Sequence, residues 1–151
     1  MKFITLAAKS VLTGLLLICA TVSTKVYSDE LNLGLWTDHI KDRPEHKQPY
    51  NEVNKLLAYK WSEGYYFGAY ENSHYDLSFL AGTSLYNKKF SEFYLTLDMA
   101  LASGYPERMH KVGNLVVIPS LTVTHYFTKN VGVSYIHIPT MLSGVGFRLK
   151  F

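Results

Sequence analysis

Apolar side chains recur at every second position between residues 90 and 102, and this period limits the folds open to the chain. Successive side chains of a β-strand point to opposite faces, whereas a helix brings together positions three or four apart. The stretch therefore predicts a strand with one apolar and one more polar face. The apolar face carries Phe93, Leu95, Leu97, Met99 and Leu101, and the other carries Tyr94, Thr96, Asp98 and Ala100.

The same alternation recurs along most of the chain and predicts eight strands. Polar stretches at 62–64, 87–89 and 128–130 predict tight turns, and charged stretches at 40–52 and 103–114 predict longer loops. The predicted strands are 31–39, 54–61, 65–70, 77–86, 90–102, 115–127, 131–138 and 142–151.

Two local expectations follow from strict alternation. In the first strand, Leu31, Leu33 and Leu35 share one face. At the crest of the hairpin between the third and fourth strands, Ser73 points to one face and Asn72 to the other. Farther down the predicted interior, Asp98, Arg148 and Lys150 are expected to form an ion network.

An even number of strands with alternating tight and long connections is typical of a transmembrane β-barrel. We therefore predict an all-β, eight-stranded antiparallel transmembrane β-barrel whose apolar rows face lipid. The alternative is a secreted soluble barrel such as a lipocalin, in which the apolar rows face inward. Composition alone does not separate the two. Phe151, which ends an alternating strand, resembles the assembly signal of bacterial outer-membrane barrels and favours the first.

Residues 1–28 predict a secretory signal peptide. Lys2 and Lys9 provide a basic start, residues 11–22 form an apolar run, and residues 26–28 resemble a small-residue cleavage site. The apolar run is shorter than the roughly 18 to 20 residues that a transmembrane helix needs. We therefore expect export and a single mature domain over residues 29–151.

Removal of this segment changes the charge of the protein. It takes away three of the fifteen basic residues and none of the twelve acidic ones, so residues 29–151 are formally neutral. Nucleic-acid binding, which needs a clustered basic face, is therefore not expected. The single cysteine, Cys19, leaves with the segment, so the mature chain has no disulfide.

A histidine and a serine converge at one rim of the predicted barrel. The first strand ends at His39, and the third strand ends before Asn72 and Ser73, so both ends reach the same side. A histidine within reach of a serine hydroxyl is the minimum for hydroxyl activation in acyl transfer. The alternative is that His39 is an ordinary loop histidine and that the Ser73 hydroxyl caps local backbone.

Several segments together resemble a known enzyme family. They are residues 36–39 (Trp-Thr-Asp-His), 50–52 (Tyr-Asn-Glu), 70–73 (Tyr-Glu-Asn-Ser), 117–120 (Val-Ile-Pro-Ser) and 135–139 (Tyr-Ile-His-Ile-Pro). This pattern resembles the outer-membrane lipid A palmitoyltransferases and the small barrels related to them. The resemblance implies an enzyme, a monomer without a cofactor or metal, that moves an acyl chain from a phospholipid to lipid A. It also implies insertion into the outer membrane of a Gram-negative bacterium by the assembly machinery.

The resemblance also implies roles for individual residues. His39 and Ser73 match two catalytic positions, and Asn72 stands where the family has Asp; an amide does not stabilise an imidazolium as a carboxylate does. Pro119 and Pro139 match prolines that open a lateral path for lipid tails.

Three basic residues in the predicted outer loops are expected to meet the phosphates of lipid A, namely Arg43, Arg108 and Lys111. The alternative function is a non-catalytic barrel with a structural, lipid-binding or surface-recognition role. An acyltransferase requires an open interior below Ser73, whereas a structural barrel is filled there by side chains such as Tyr94, Asp98 and Arg148.

Overall fold

A computed structural model of the chain describes residues 28–40, 48–105 and 111–151. The predicted signal peptide lies outside these residues, apart from Ser28. Within the described residues, no helix is long and apolar enough to cross a membrane. The strands are β1 (Glu30–His39), β2 (Val53–Lys60), β3 (Tyr65–Glu71), β4 (Leu77–Phe90), β5 (Phe93–Ala102), β6 (Lys111–Val112), β7 (Leu115–Tyr126), β8 (Val131–Ile138) and β9 (Leu142–Lys150).

Eight of these strands close into an antiparallel barrel, as predicted. Neighbours in sequence pair around the sheet, β5 pairs with β7, and β1 pairs with β9 to complete the circle. The ninth strand, β6, is a two-residue extension that pairs only with β7. Closure satisfies the backbone groups that an open sheet leaves at its edges.

The two ends of the barrel differ in their connections. One end, called here the terminal end, carries the start of β1, the end of β9 and the short connections after β2, β4 and β7. At this end the amide of Phe151 donates to the carbonyl of Asp29 at 3.0 Å. The opposite end, called here the site end, carries residues 48–52, 72–76, 103–105 and 139–141, together with β6.

Apolar side chains cover the outside of the barrel and polar side chains fill much of its inside. Large hydrophobic residues such as Leu57, Phe67 and Leu101 are exposed, whereas Thr96, Thr122 and their polar neighbours are buried. This is the reverse of a soluble barrel, in which the apolar row forms the core. Exposed aromatic residues cluster at the terminal end, namely Trp61, Tyr65, Phe90, Phe93, Phe127 and Phe151.

The turn predicted at residues 87–89 is wrong. The strand continues through these residues, with Lys89 opposite Tyr94 and Phe90 opposite Phe93. The turn consists of Ser91 and Glu92, and Ser91 has a φ of 54°. The lysines resembled a turn because they are polar, but Lys88 lies over the ring of Phe90 and this part of β4 is exposed.

A β-bulge at Gly34 changes which face of β1 points inward. The register with β2 and β9 shifts between Leu33 and Leu35, and Gly34 has a φ of 56°, which glycine adopts without strain. Before the bulge, Leu33 lies opposite the exposed Leu57; after it, Leu35 lies opposite the buried Asn54. The prediction that Leu35 shares the face of Leu33 is therefore wrong.

The consequence of this bulge reaches His39. Without the extra residue, strict alternation from Leu33 places odd-numbered residues outside along the whole strand. With it, Leu35 and Thr37 turn inward, and His39, two residues farther on, has the same orientation. The inward position of His39 therefore depends on Gly34.

Candidate functional site

The structure brings His39 and Ser73 together at the site end. His39 is the last residue of β1, and Ser73 lies in the loop between β3 and β4. The Oγ atom of Ser73 is 2.8 Å from Nε2 of His39, and Ser73 is 5% exposed. This geometry allows the imidazole to accept the proton of the hydroxyl, which is the first requirement of base-assisted acyl transfer.

Hydrogen bonds between neighbouring loops hold this pair in position. The amide of Asn51 donates to the carbonyl of Ser73 at 3.0 Å, and the side chain of Asn51 donates to the carbonyl of Asn72 at 3.3 Å. The amide of Thr37 donates to the carbonyl of Glu52 at 2.8 Å. The segment before β2 therefore links the end of β1 to the loop that carries Ser73.

Aromatic side chains surround the imidazole. The ring of His39 is stacked on Tyr50, with centroids 4.1 Å apart and planes inclined by 15°. Tyr50 makes an edge contact with His74, which makes another with Tyr105. The hydroxyls of Tyr105 and Tyr70 are 2.7 Å apart, and burial raises the pKa of the Tyr105 phenol. The stacked Tyr50 restricts the orientation of His39, and the other rings extend the aromatic surface beside it.

The side chain of Asn72 stabilises the loop that carries it and does not orient His39. Its side chain is completely buried and makes four hydrogen bonds. An asparagine amide has two N–H donors and an oxygen that accepts two bonds, so these contacts use its full capacity. Its Nδ2 donates to Oγ of Ser78 at 2.9 Å and to the carbonyl of Gly104 at 2.8 Å, and its Oδ1 accepts from the amides of His74 at 2.7 Å and Asp76 at 3.1 Å.

The prediction that Asn72 and Ser73 point to opposite faces is wrong, because both side chains are buried. β3 ends at Glu71, so the alternation of a strand no longer applies to the two residues that follow. Glu71 itself pairs with Lys55 at 2.9 Å, and the side chain of Lys55 is 78% exposed.

An interior cavity of about 140 Å³ extends from Ser73 toward the terminal end. This volume is several times what one water-sized group needs, and a methylene group is of similar size. The open space below Ser73 is the feature that we expect of an acyltransferase and not of a filled structural barrel. Most of its wall is apolar, including Leu35, Leu56, Ala58, Leu80, Ala100, Ile118 and Ile138.

Charged side chains form the far wall of this cavity. Nη1 of Arg148 lies 3.0 Å from Oε2 of Glu30, and Nζ of Lys60 lies 4.0 Å from Oδ1 of Asp98. All four side chains are buried, and charges in such a setting are retained when they are paired and hydrogen-bonded. Lys150, predicted to belong to this network, instead lies over the rings of Tyr94 and Tyr126 at the terminal end.

The two prolines mark the place where β7 and β8 separate. Pairing of these strands runs from Tyr126 opposite Gly132 to Leu121 opposite His137, and goes no farther toward the site end. Continuation of that register places Pro139 opposite Pro119, and neither residue has an N–H to donate. The part of β7 above Leu121 still pairs with β5. On this side of Pro119 the ladder between β7 and β8 therefore does not continue to the site end.

Of the three basic residues predicted to bind phosphate, the structure describes only the backbone of Lys111, so the phosphate site stays a prediction. Arg43 and Arg108 lie outside the described residues. Lys111 belongs to β6, where its backbone pairs with Val116 of β7 at the site end.

Three residues of the site and the ion network were not predicted to have a role. The first is Tyr50, whose ring covers one face of His39. Glu30 and Lys60 were not assigned to the ion network. Lys60 was detectable, because it has the same parity along β2 as Ala58, a small residue suited to a crowded barrel interior.

Comparison with known proteins adds no relative: neither the protein-family models nor the curated proteins include a match to this chain. Among the side chains that the structure describes, no group of three His, Cys, Asp or Glu residues could hold a metal ion.

Proposed function

We propose that this chain is an outer-membrane acyltransferase that moves a fatty acyl chain from a phospholipid to lipid A. The observation that carries the proposal is the 2.8 Å contact between His39 Nε2 and Ser73 Oγ at the mouth of a mostly apolar cavity. A base next to a hydroxyl provides the chemistry, and the cavity provides space for the chain being transferred.

The reaction needs one proton to be moved in each direction. The attacking hydroxyl, from Ser73 or from a lipid A acceptor that Ser73 positions, gives its proton to Nε2 of His39 as its oxygen bonds to the ester carbonyl. The ester C–O bond then breaks, and the imidazolium returns the proton to the lysophospholipid oxygen. When Ser73 is the attacking group, a second round follows: a lipid A hydroxyl gives its proton to Nε2 of His39 as its oxygen bonds to the carbonyl carbon of the Ser73 ester, and the proton returns to Oγ of Ser73 as that ester bond breaks. Tyr50, stacked on the imidazole, keeps the ring oriented during both transfers.

Placement in the outer membrane is part of the proposal. It is supported by the apolar exterior, the polar interior and the exposed aromatic residues at the terminal end. The separation of β7 and β8 beside Pro119 and Pro139 supports a lateral path for lipid tails into the cavity. The same proposal has the chain exported, inserted by the assembly machinery and active as a monomer.

Mass spectrometry of lipid A from a palmitoylation-deficient Gram-negative host tests this function. Expression of the wild-type chain should add the mass of one acyl chain, and His39→Ala and Ser73→Ala should each abolish the addition at equal membrane levels. His125→Ala and Ser62→Ala are matched controls, because these residues lie at the terminal end of the barrel, opposite the pair. No mass gain with folded wild-type protein in the membrane would refute the proposal.

A non-catalytic lipid-binding barrel is the second candidate, and Asn72 is the observation that favours it. The resembled family has a carboxylate at this position, whereas the amide of Asn72 is fully used in holding its loop. This candidate predicts that phospholipid copurifies with the barrel while lipid A keeps its mass.

A further inference from the structure

The cavity has two chemically different ends. Ser73 lies at one end, and Asn32, Lys60, Asp98 and Arg148 line the other. Lys60 lies six residues beyond Asn54 along β2, a rise of about 20 Å, so the polar end is remote from the His39–Ser73 pair. A fully saturated chain that fills the cavity would place its last carbons against these polar groups, which is unfavourable for both.

Two of the charged groups at this end are satisfied by the protein itself. Arg148 donates to Oγ of Ser134 at 2.6 Å and to Glu30 at 3.0 Å. Asp98 accepts from the hydroxyls of Ser84 and Thr122. These residues form a stable layer and need no ligand.

Lys60 and Asn32 differ from these residues. The side chain of Lys60 is 4% exposed, and its one ion-pair contact among the described residues is at 4.0 Å, beyond hydrogen-bond distance. The Oδ1 atom of Asn32 is buried and has no hydrogen-bond partner in the described part of the chain. Asn32 pairs with Ala58 and Glu30 pairs with Lys60, so the two side chains are diagonal neighbours on the inner face of β1 and β2.

An ammonium group donates hydrogen bonds and an amide oxygen accepts them. A hydroxyl is the simplest group that satisfies both, because it accepts from one neighbour and donates to another. We infer that the cavity binds an acyl chain that carries a hydroxyl group at its far end, held between Nζ of Lys60 and Oδ1 of Asn32. The inference deepens the proposed function by naming the class of acyl chain, and it rests on that function for the chain being a transferred group.

Binding of free fatty acids tests the inference without requiring turnover. Calorimetry with the refolded full-length mature barrel in detergent compares decanoate, dodecanoate and tetradecanoate with their ω-hydroxy counterparts. For the length that fits best, the wild-type barrel should bind the hydroxy acid about tenfold to hundredfold more tightly, as expected for hydrogen bonds to a charged group. Equal affinity, tighter binding of the unsubstituted acid, or no binding of either would overturn the inference.

Substitutions identify the groups responsible. Lys60→Met should remove most of the preference and Asn32→Ala part of it, whereas Lys55→Met, an exposed lysine on the same strand, should leave it unchanged. If Lys60→Met does not fold because Asp98 loses its partner, the double variant Lys60→Met/Asp98→Asn removes both charges together. A preference that persists in the folded Lys60 variant would contradict the assignment.

Failure of the inference and failure of the proposed function give different results. Equal binding of the two acids together with acyl transfer to lipid A would overturn only the inference. A hydroxyl preference without any transfer would overturn only the enzymatic function, and the cavity would then be the binding site of a non-catalytic barrel.

Discussion

The two halves of the barrel interior use polar residues in opposite ways. At the terminal end, Glu30 and Arg148 are buried and hydrogen-bonded to each other and to nearby hydroxyls, and these bonds hold the strands together. At the site end, His39 and Ser73 are bonded to each other above open space. The difference teaches that burial of a polar residue does not by itself indicate function. Glu30 and Arg148 form an ion pair between strands, whereas His39 and Ser73 place a base next to a hydroxyl.

The largest difference between the two halves of the interior is expected in the unfolding free energy of Arg148→Met. This change leaves the carboxylate of Glu30 buried without its cation, and loss of one partner of a buried pair costs about 3–5 kcal/mol. Urea unfolding of the refolded barrel measures the loss. Lys150→Met, at the half-buried terminal end, should change the unfolding free energy much less. Equal stability of both variants would show that the terminal-end layer is not structural.

Ser73→Ala should lower the rate of acyl transfer and leave the stability of the barrel nearly unchanged. It removes the hydroxyl next to the base and should lower the rate of acyl transfer about 100-fold or more, with little loss of stability. Transfer rates and unfolding curves of the same protein preparation provide the two measurements. An unchanged transfer rate together with a much lower unfolding free energy would show that Ser73 has a structural role, as the polar residues of the terminal end do.

Asn72→Asp restores the carboxylate of the resembled family and should not improve the enzyme. It replaces the N–H donors to Ser78 and to the carbonyl of Gly104 by an acceptor, so we expect a loss of about 1–3 kcal/mol of stability. Unfolding and transfer assays measure both effects. Asn114→Asp, in the exposed turn between β6 and β7, is the control. Faster transfer at unchanged stability would show that the loop hydrogen bonds are dispensable.

Gly34→Ala tests the bulge that turns the site end of β1 inward. A residue with a Cβ atom at a φ of 56° should cost about 1–2 kcal/mol of stability. Gly34→Asn should cost less, because asparagine tolerates this conformation better. The ranking is measured by urea unfolding. Wild-type stability of Gly34→Ala would mean that the bulge does not depend on glycine.

The smallest effect is expected from Pro119→Ala and Pro139→Ala. Each restores an N–H where β7 and β8 separate, and together they should lower transfer a few-fold by favouring further pairing. Transfer assays of the single and double variants measure the effect. Pro49→Ala, in the loop before β2, is the control. Faster transfer in the double variant would contradict a path between these strands.

Most of the fold was predictable because alternation is a local property. The bounds of β2, β7 and β8 differ by at most one residue from those predicted, since apolar side chains such as Val117 and Val123 recur with a period of two up to the turns. The exceptions were the end of β4 and the start of β5, because exposed lysines that resemble a turn continue β4 to residue 90. A run of polar residues therefore does not distinguish a loop from the exposed end of a strand.

The candidate site was predictable in part. The meeting of His39 and Ser73 follows from antiparallel topology, which brings the ends of β1 and β3 to the same side. The role of Asn72 was not predictable, because its partner Gly104 is distant in sequence and the strand ends before it. The pairing of Arg148 with Glu30 was not predictable for the same reason, because the two residues lie at opposite ends of the barrel sequence.

The sequence by itself determined the number of strands, their antiparallel order and the apolar character of one face, because these depend on a period that adjacent residues set. Only the tertiary structure decided which residues meet inside. One extra residue at Gly34 reverses the parity of β1, and closure of β1 against β9 brings Glu30 to Arg148. Long-range contacts of this kind depend on register and closure, which no local pattern encodes.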